Sequence, residues 1–271
     1  MLSESIIEAL AQRLQHAQFT RTPVEHFSKQ YASMTIDDGY AISRAWKRNQ
    51  IESGQTVIGH KIGLTSRAMQ QSSQIDEPDF GILFADMRYV CMPGQVLNIA
   101  LSDFIAPRVE VELAFVLKRV LRGPNITVQD VLDATDYVIP AVEIIDARIE
   151  QFDRISKAPR KVFDTISDNA ASAGIVIGAN RVDPHTTNLP WCGAILKLND
   201  VVEETGLAAG VQGHPAVGVA WLVNKLAPWG EFCDAGEIVL AGSFTKPVPA
   251  KVGDVFVADY GPLGSLQFQF T

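Results

Sequence analysis

The sequence predicts an α+β protein, with a helical N-terminal subdomain over residues 1–55 and a β-rich body over residues 56–271, the two forming one structural unit. Three observations predict it. The first apolar periodicities are helical and come before any convincing strand. After Val57 the chain changes to short β-rich runs punctuated by Gly and Pro. Long strands with few helices between them argue against a doubly wound sheet, leaving a mixed, strongly curved one.

From Ser3 to about Gln15, Ile6, Ile7, Leu10 and Leu14 recur at helical spacing behind a Ser cap. A second helix is announced by Thr35-Ile36-Asp37-Asp38, a capping-box-like start, and runs towards Gln50. Val57 to Leu64 and Val109 to Val120 follow as strands. A late helix is expected from Pro215 to about Leu226: Pro suits its first turn, Val219, Leu222, Val223 and Leu226 face one way, and Pro228 stops it. The end reads as a hairpin, Val255 to Asp259 and Leu266 to Phe270 flanking Gly261-Pro262-Leu263-Gly264.

Bulk properties narrow the function. A chain of 271 residues that is 47% apolar can bury a sizeable core. A net charge of -8 argues against nucleic-acid or anionic-membrane partners. It also repels acidic substrates, unless a metal or local cations reverse the field at the site. Cys91, Cys192 and Cys233 are scattered, odd in number and without a CxxC pair, which suits a reducing compartment. No apolar run approaches the ~20 residues that span a bilayer. Met1-Leu2-Ser3-Glu4-Ser5 lacks the basic start of a signal peptide, so a cytoplasmic protein is expected.

The segment Arg108-Val109-Glu110-Val111-Glu112-Leu113-Ala114-Phe115-Val116 alternates. In a strand, period two puts the apolar residues on one face and Glu110, Glu112 and Ala114 on the other. The two Glu Cα atoms then lie roughly 6–7 Å apart, so both carboxylates can converge on one hard divalent cation. A solvated edge strand would alternate in the same way. The run Tyr137-Val138-Ile139-Pro140-Ala141-Val142-Glu143-Ile144-Ile145 shifts the balance, because Glu143 sits where exposure on both sides is excluded. A buried carboxylate needs a metal, a cation or a proton. Three carboxylates without His or Cys nearby favour Mg²⁺, or Mn²⁺, over Zn²⁺. The five histidines show no ligand spacing, so a zinc enzyme is not expected.

In Ile58-Gly59-His60-Lys61-Ile62-Gly63-Leu64, a basic pair lies within a Gly-bounded apolar strand. Such a Lys is ordinarily a snorkelling surface residue and such a His a satisfied core one. An inward Lys61 would instead meet the anionic site and bind a substrate carboxylate or move a proton. Asp76-Glu77-Pro78-Asp79 reads as a turn in which Glu77 or Asp79 could position water.

The sequence resembles the fumarylacetoacetate-hydrolase superfamily, and within it the hydratase/decarboxylase branch of aromatic meta-cleavage pathways. The matching stretches are GHKIGLTS at Gly59 to Ser66, PRVEVELAFVL at Pro107 to Leu117 and ATDYVIPAVEIIDAR at Ala134 to Arg148. DTISDNA at Asp164 to Ala170, GHPAVGVAWLVNKLA at Gly213 to Ala227 and AGSFTKPVPAKVGD at Ala241 to Asp254 extend the match over most of the chain. The resemblance implies metal ligation by Glu110, Glu112 and Glu143, an active-site Lys61, Mg²⁺, a rolled sheet, and homo-oligomers often based on pentamers.

Gly59-His60-Lys61, in place of a Gly-Leu-Lys-type sequence, and the segment Lys157 to Phe163 favour hydratase over decarboxylase within the branch. The expected reaction is hydration of a seven-carbon 2-oxo-enedioate. Lys61 would hold the C1 carboxylate or relay a proton, His60 and Asp79 would handle the water, and Ser243 would bind a substrate carboxylate, unless it is an ordinary turn serine. Arg160 or Lys161 would read the distal carboxylate, the alternative being a solvated basic loop. The rival readings are a 2-oxo-enedioate decarboxylase, a C–C hydrolase, which usually needs a His–Glu pair, and a non-catalytic cation-binding protein.

Overall fold

The computed structural model describes residues 1–271. Helices α1 (Glu4–Thr20) and α3 (Ile36–Glu52) come first, as predicted, with an unexpected four-residue helix, α2 (Phe27–Gln30), between them. Ser3 caps α1, and α3 starts with a reciprocal capping box between Thr35 and Asp38. Helix α1 outruns its predicted end because Ala17 continues the buried face set by Leu10 and Leu14. It stops where Arg21 turns left-handed.

The body begins with β1 (Val57–Gly63), α4 (Arg67–Ser73), β2 (Asp79–Phe84), β3 (Arg88–Val90) and β4 (Leu97–Ile99). Then come β5 (Arg108–Leu117), α5 (Val128–Ala134), β6 (Thr135–Ile145), α6 (Val162–Ser167) and β7 (Ser172–Ile177). The chain closes with β8 (Gly193–Leu198), β9 (Val201–Leu207), α7 (Pro215–Leu226), β10 (Ile238–Leu240), β11 (Val248–Pro249), β12 (Val255–Asp259) and β13 (Ser265–Phe270). Pro215 opens α7, where His214 Nδ1 accepts the Ala216 N–H, and β12 and β13 form the predicted hairpin. Helices α4, α5 and α6, at six or seven residues, are too short to show a 3.6 period in sequence. Asp79, expected in a turn, is the first residue of β2.

The larger sheet runs β2-β1-β10-β5-β6-β7-β3, with β11 alongside β5, and mixes parallel and antiparallel pairs. Register fixes which residues share its concave face. Lys61 lies opposite Gly81 and Leu240, Gly63 opposite Asp79, Glu110 opposite Glu143, and Glu112 opposite Ala141. Leu83, Ala114, Ile139, Ala141, Ile175, Ile238 and Leu240 form an apolar floor on this face. The sheet rolls until β2 approaches β7. The seam is closed by the Asn169 side chain, whose amide accepts from Ile82 N at 2.7 Å and donates to Ile82 O at 2.9 Å. Gly59 permits the tight join between β1 and β10, since a Cβ there would lie 1.8 Å from the Ile238 carbonyl oxygen.

The convex face carries the main core, which joins it to α7 and to a second sheet, β4-β13-β12-β8-β9. The N-terminal helices pack against the convex side of β2, Leu10, Leu14, Ile42 and Trp46 meeting Ile82 and Phe84. No helix is long and apolar enough to cross a membrane.

Candidate metal centre and active site

Strands β5 and β6 pair so that Glu110 and Glu112 project beside Glu143, and one carboxylate oxygen from each lies within 4.8 Å of the others. Glu112 and Glu143 are sealed from solvent, while Glu110 retains an edge towards it. Glu112 Oε2 accepts the Gly242 N–H at 2.9 Å, but Glu112 Oε1 and Glu143 Oε1 have no hydrogen-bond partner. Burial, reinforced by the Glu143 charge, pushes the Glu110 carboxyl up to about 8. Burial and the same neighbours raise Glu112 well above the usual carboxylate range, and burial raises Glu143 as well. Crowded carboxylates with orphaned oxygens and only oxygen donors fit a hard divalent ion such as Mg²⁺ or Mn²⁺.

Lys61 reaches the same chamber, its Nζ 3.4 Å from Glu143 Oε1. Burial alone would lower its pKa, yet the charges of Glu143, Asp79, Glu110 and Glu112 outweigh that and raise it, so the ammonium is secured. Asp79 faces it, fully buried, with both carboxylate oxygens unpartnered, and burial raises its pKa. Gly63 makes room for the pair, because a Cβ there would lie 2.3 Å from Asp79 Oδ1 and 3.2 Å from Lys61 Nζ.

Two cavities open onto this cluster and share Glu110 in their lining. One, of about 360 Å³, is lined by Glu110, Glu112, Ser243, Phe244 and Lys246. The other, of about 340 Å³, is lined by Lys61, Asp79, Arg108, Glu110, Phe152 and Arg160. Helix α4, which has no buried residue, borders both through Met69. Arg160 spends only Nη1 on the protein, donating to Asp168 Oδ2 at 3.1 Å and Ile149 O at 3.3 Å. The half-buried Arg108 guanidinium makes no hydrogen bond or ion pair. Burial and the nearby Arg160 charge lower its pKa. Two guanidiniums held together in this way make an anion site.

The structure therefore gathers Glu110, Glu112, Glu143, Lys61, Asp79 and Arg160, and places the other expected residues differently. His60 points to the opposite face of β1 from Lys61, because neighbours in a strand alternate. Lys161 is exposed; it caps α6 with its backbone, its N–H donating to Asp164 Oδ2, and lines neither cavity. Ser243 lines the first cavity; its hydroxyl is engaged, donating to Thr245 O at 2.8 Å, so of the hydroxyl and amide expected to meet a substrate carboxylate the backbone amide is the one left free. Glu77 is occupied by Lys225 at 2.6 Å. Arg108 was missed, although it is two residues before Glu110 on the same strand and the same period-two argument places it on the same face.

Over 261 residues the chain is 54% identical to the 2-oxo-hept-4-ene-1,7-dioate hydratase of Escherichia coli, covering 96% of each. The chain belongs to the hydratase/decarboxylase branch of the fumarylacetoacetate-hydrolase superfamily. The 2-hydroxyhexa-2,4-dienoate hydratase of Comamonas testosteroni, another relative in this branch, is 38% identical over the full length of both chains. The 4-oxalocrotonate decarboxylase of Pseudomonas putida G7, solved with magnesium and adipate, superposes with a TM-score of 0.93 at 30% identity, covering 100% of this chain and 99% of that one. No family model matches the chain.

Proposed function

We infer that this protein is a divalent-metal-dependent hydratase. Its substrate is 2-oxo-hept-4-ene-1,7-dioate, as the dienol 2-hydroxyhepta-2,4-dienedioate, and its product 4-hydroxy-2-oxoheptanedioate. The observation that carries the reading is a single cavity lined by Glu110 of the carboxylate triad, the buried Lys61 ammonium and the guanidiniums of Arg108 and Arg160, which offers cationic partners for a substrate with two acid groups. Glu110, Glu112 and Glu143 hold Mg²⁺, or Mn²⁺ in its place. Bound there, the ion supplies Lewis-acid stabilisation of charge on the substrate's C2 oxygen.

The rest of the chemistry falls to the protein's own groups. Lys61 orients the C1 carboxylate and, kept protonated by its carboxylate neighbours, delivers a proton to C5 of the dienol as the C2 hydroxyl gives up its own, which restores the ammonium and leaves a conjugated 2-oxo-enoate. Water then adds at C4. Asp79, buried beside Lys61 with both carboxylate oxygens unpartnered, takes the proton that the water loses and returns it to C3, which completes the hydration. Arg108 and Arg160 hold the distal carboxylate and keep the carbon chain extended across the chamber.

Decarboxylation of a 2-oxo-enedioate is the second reading, favoured by the close superposition on a decarboxylase. One experiment separates the two: incubate protein, dienol and Mg²⁺, then follow products by mass spectrometry. A product heavier by one water, with no carbon dioxide released, is expected. Release of carbon dioxide in step with substrate loss would replace the hydratase reading. We further assign the step to homoprotocatechuate degradation in the cytoplasm, a setting that suits three free buried cysteines. Residues 1–55 act as a helical buttress for β2 on the catalytic body, residues 56–271. A homo-oligomer, pentamer-based, is expected, and exposed Val201 and Val202 on the edge strand β9 offer an apolar surface for it.

A further inference from the structure

On the outside of β1, directly behind Lys61, three donor groups from distant parts of the chain converge. His60 Nδ1 lies 3.8 Å from Cys233 Sγ and 3.4 Å from Glu237 Oε2. His60 is 2% exposed and Cys233 0%, and the Glu237 side chain, at 17%, forms the only side facing water. We propose that His60, Cys233 and Glu237 form a second metal site, built for a borderline cation of the zinc class and separate from the carboxylate triad.

Geometry supports this first. A tetrahedral ion with bonds of about 2.3 Å to sulfur and about 2.0 Å to nitrogen and oxygen holds S and N roughly 3.5 Å apart, and N and O roughly 3.3 Å apart. The observed separations come within a few tenths of an ångström of both. An unsatisfied polar atom is the second argument. Glu237 Oε2, which faces His60 Nδ1, is sealed from solvent and lacks a hydrogen-bond partner, which an ordinary polar core triad would have supplied. Third, the other two cysteines are engaged differently: Cys91 Sγ faces Gln267 O and Cys192 Sγ faces Asn188 O.

The donor chemistry sorts the two sites. Sulfur and imidazole select zinc-like ions and reject Mg²⁺, whereas the all-oxygen triad selects hard ions. The Cys233 side is anchored, since Cys233 and Leu121 exchange both backbone hydrogen bonds and Glu237 O accepts from Leu117 N. Metal binding releases the thiol proton to solvent and ties β1 to the Cys233–Glu237 turn, leaving a fourth coordination position for water beside Glu237.

Cobalt(II) serves as the spectroscopic probe, added at one equivalent to reduced, full-length protein already saturated with Mg²⁺. A near-ultraviolet thiolate-to-cobalt charge-transfer band should appear and be displaced by Zn²⁺, and Zn²⁺ should raise the melting temperature. Cys233→Ser should abolish the band, while Cys91→Ser, Cys192→Ser and Glu110→Gln keep it. Glu237→Gln, at a partly exposed position, should retain the band at saturation with cobalt affinity weakened at least about tenfold, the lower end for losing even a supporting partner. Absence of the band in the unsubstituted protein, or its survival in Cys233→Ser, would overturn the proposal. Should Cys233→Ser fail to fold, unchanged cobalt affinity in Glu237→Gln would do so instead.

Discussion

Replacing Lys61 by Met tests the chamber at its most sensitive point, because the substitution keeps an unbranched side chain one atom shorter and removes the ammonium with its charge and donors. The Nζ–Oε1 separation from Glu143 is 3.4 Å. At an effective dielectric of about 20, that corresponds to about 5 kcal/mol of attraction. Breaking a buried pair from one side costs about 3–5 kcal/mol, because the partner is left buried and uncompensated. Lys61→Met would leave Glu143 and Asp79 in that position, so the metal-free variant should melt well below wild type and recover most of the loss on adding Mg²⁺. Activity should not recover with it. A proton donor at the reacting carbon contributes about 10²–10⁴-fold, so kcat should fall by that factor. Half-maximal activity should need no more Mg²⁺ than wild type, since the change removes a cation from beside the ligands. The assay pairs steady-state kinetics over a Mg²⁺ series with thermal melts in EDTA and in Mg²⁺. A variant within about threefold of wild-type kcat would show that Lys61 neither moves a proton nor orients the substrate.

Two further predictions concern metal and specificity. A buried acid whose folded pKa is raised keeps its proton when folded and loses it when unfolded, so metal-free stability should fall as pH rises from about 4.5 to about 8 for Glu110. At about 1.4 kcal/mol per pH unit the ceiling is about 5 kcal/mol, and the solvent edge of Glu110 reduces this to on the order of 2–3. Saturating Mg²⁺ should flatten the slope, and so should Glu110→Gln; a metal-free protein equally stable at pH 5 and pH 8 would refute the clustering. Arg108→Met and Arg160→Met should each lower kcat/KM for the seven-carbon dioate roughly 10–150-fold, the equivalent of a charge-assisted contact of about 1.5–3 kcal/mol. The monoacid 2-hydroxypenta-2,4-dienoate should be nearly unaffected, and Lys161→Met should change neither substrate; equal losses on both substrates would remove the arginines from distal-carboxylate recognition.

The residues that the sequence made legible are those governed by short-range periodicity. Alternation placed Glu110 and Glu112 on one face, and the hydrophobicity around Glu143 required its burial. The capping box at Thr35 and the Pro215 start were readable for the same local reason. The errors have local causes too. Once Lys61 was taken as inward, alternation already excluded its neighbour His60 from the chamber and already included Arg108. Charge and proximity to Arg160 say nothing of where the Lys161 side chain goes, whereas its position as a helix cap turns it outward. What lay beyond reach was long-range: Asn169 closing the roll against Ile82, 87 positions away, and the meeting of His60 with Cys233, 173 positions apart. No spacing rule within the sequence encodes either.

Adjacent residues of β1 thus serve two compartments, an ammonium inside the roll and an imidazole outside it, separated by one peptide. A one-residue slip of this strand would turn the wall inside out, bringing an imidazole to the carboxylates and driving an ammonium into the apolar layer. Gly59 guards against that error. Only a residue without a Cβ can lie against Ile238, so a one-residue shift in either direction would push His60 or Ile58 into a backbone carbonyl. A residue that touches neither substrate nor metal acts as the keyway that seats the strand in one alignment, and the placement of Lys61 depends on it.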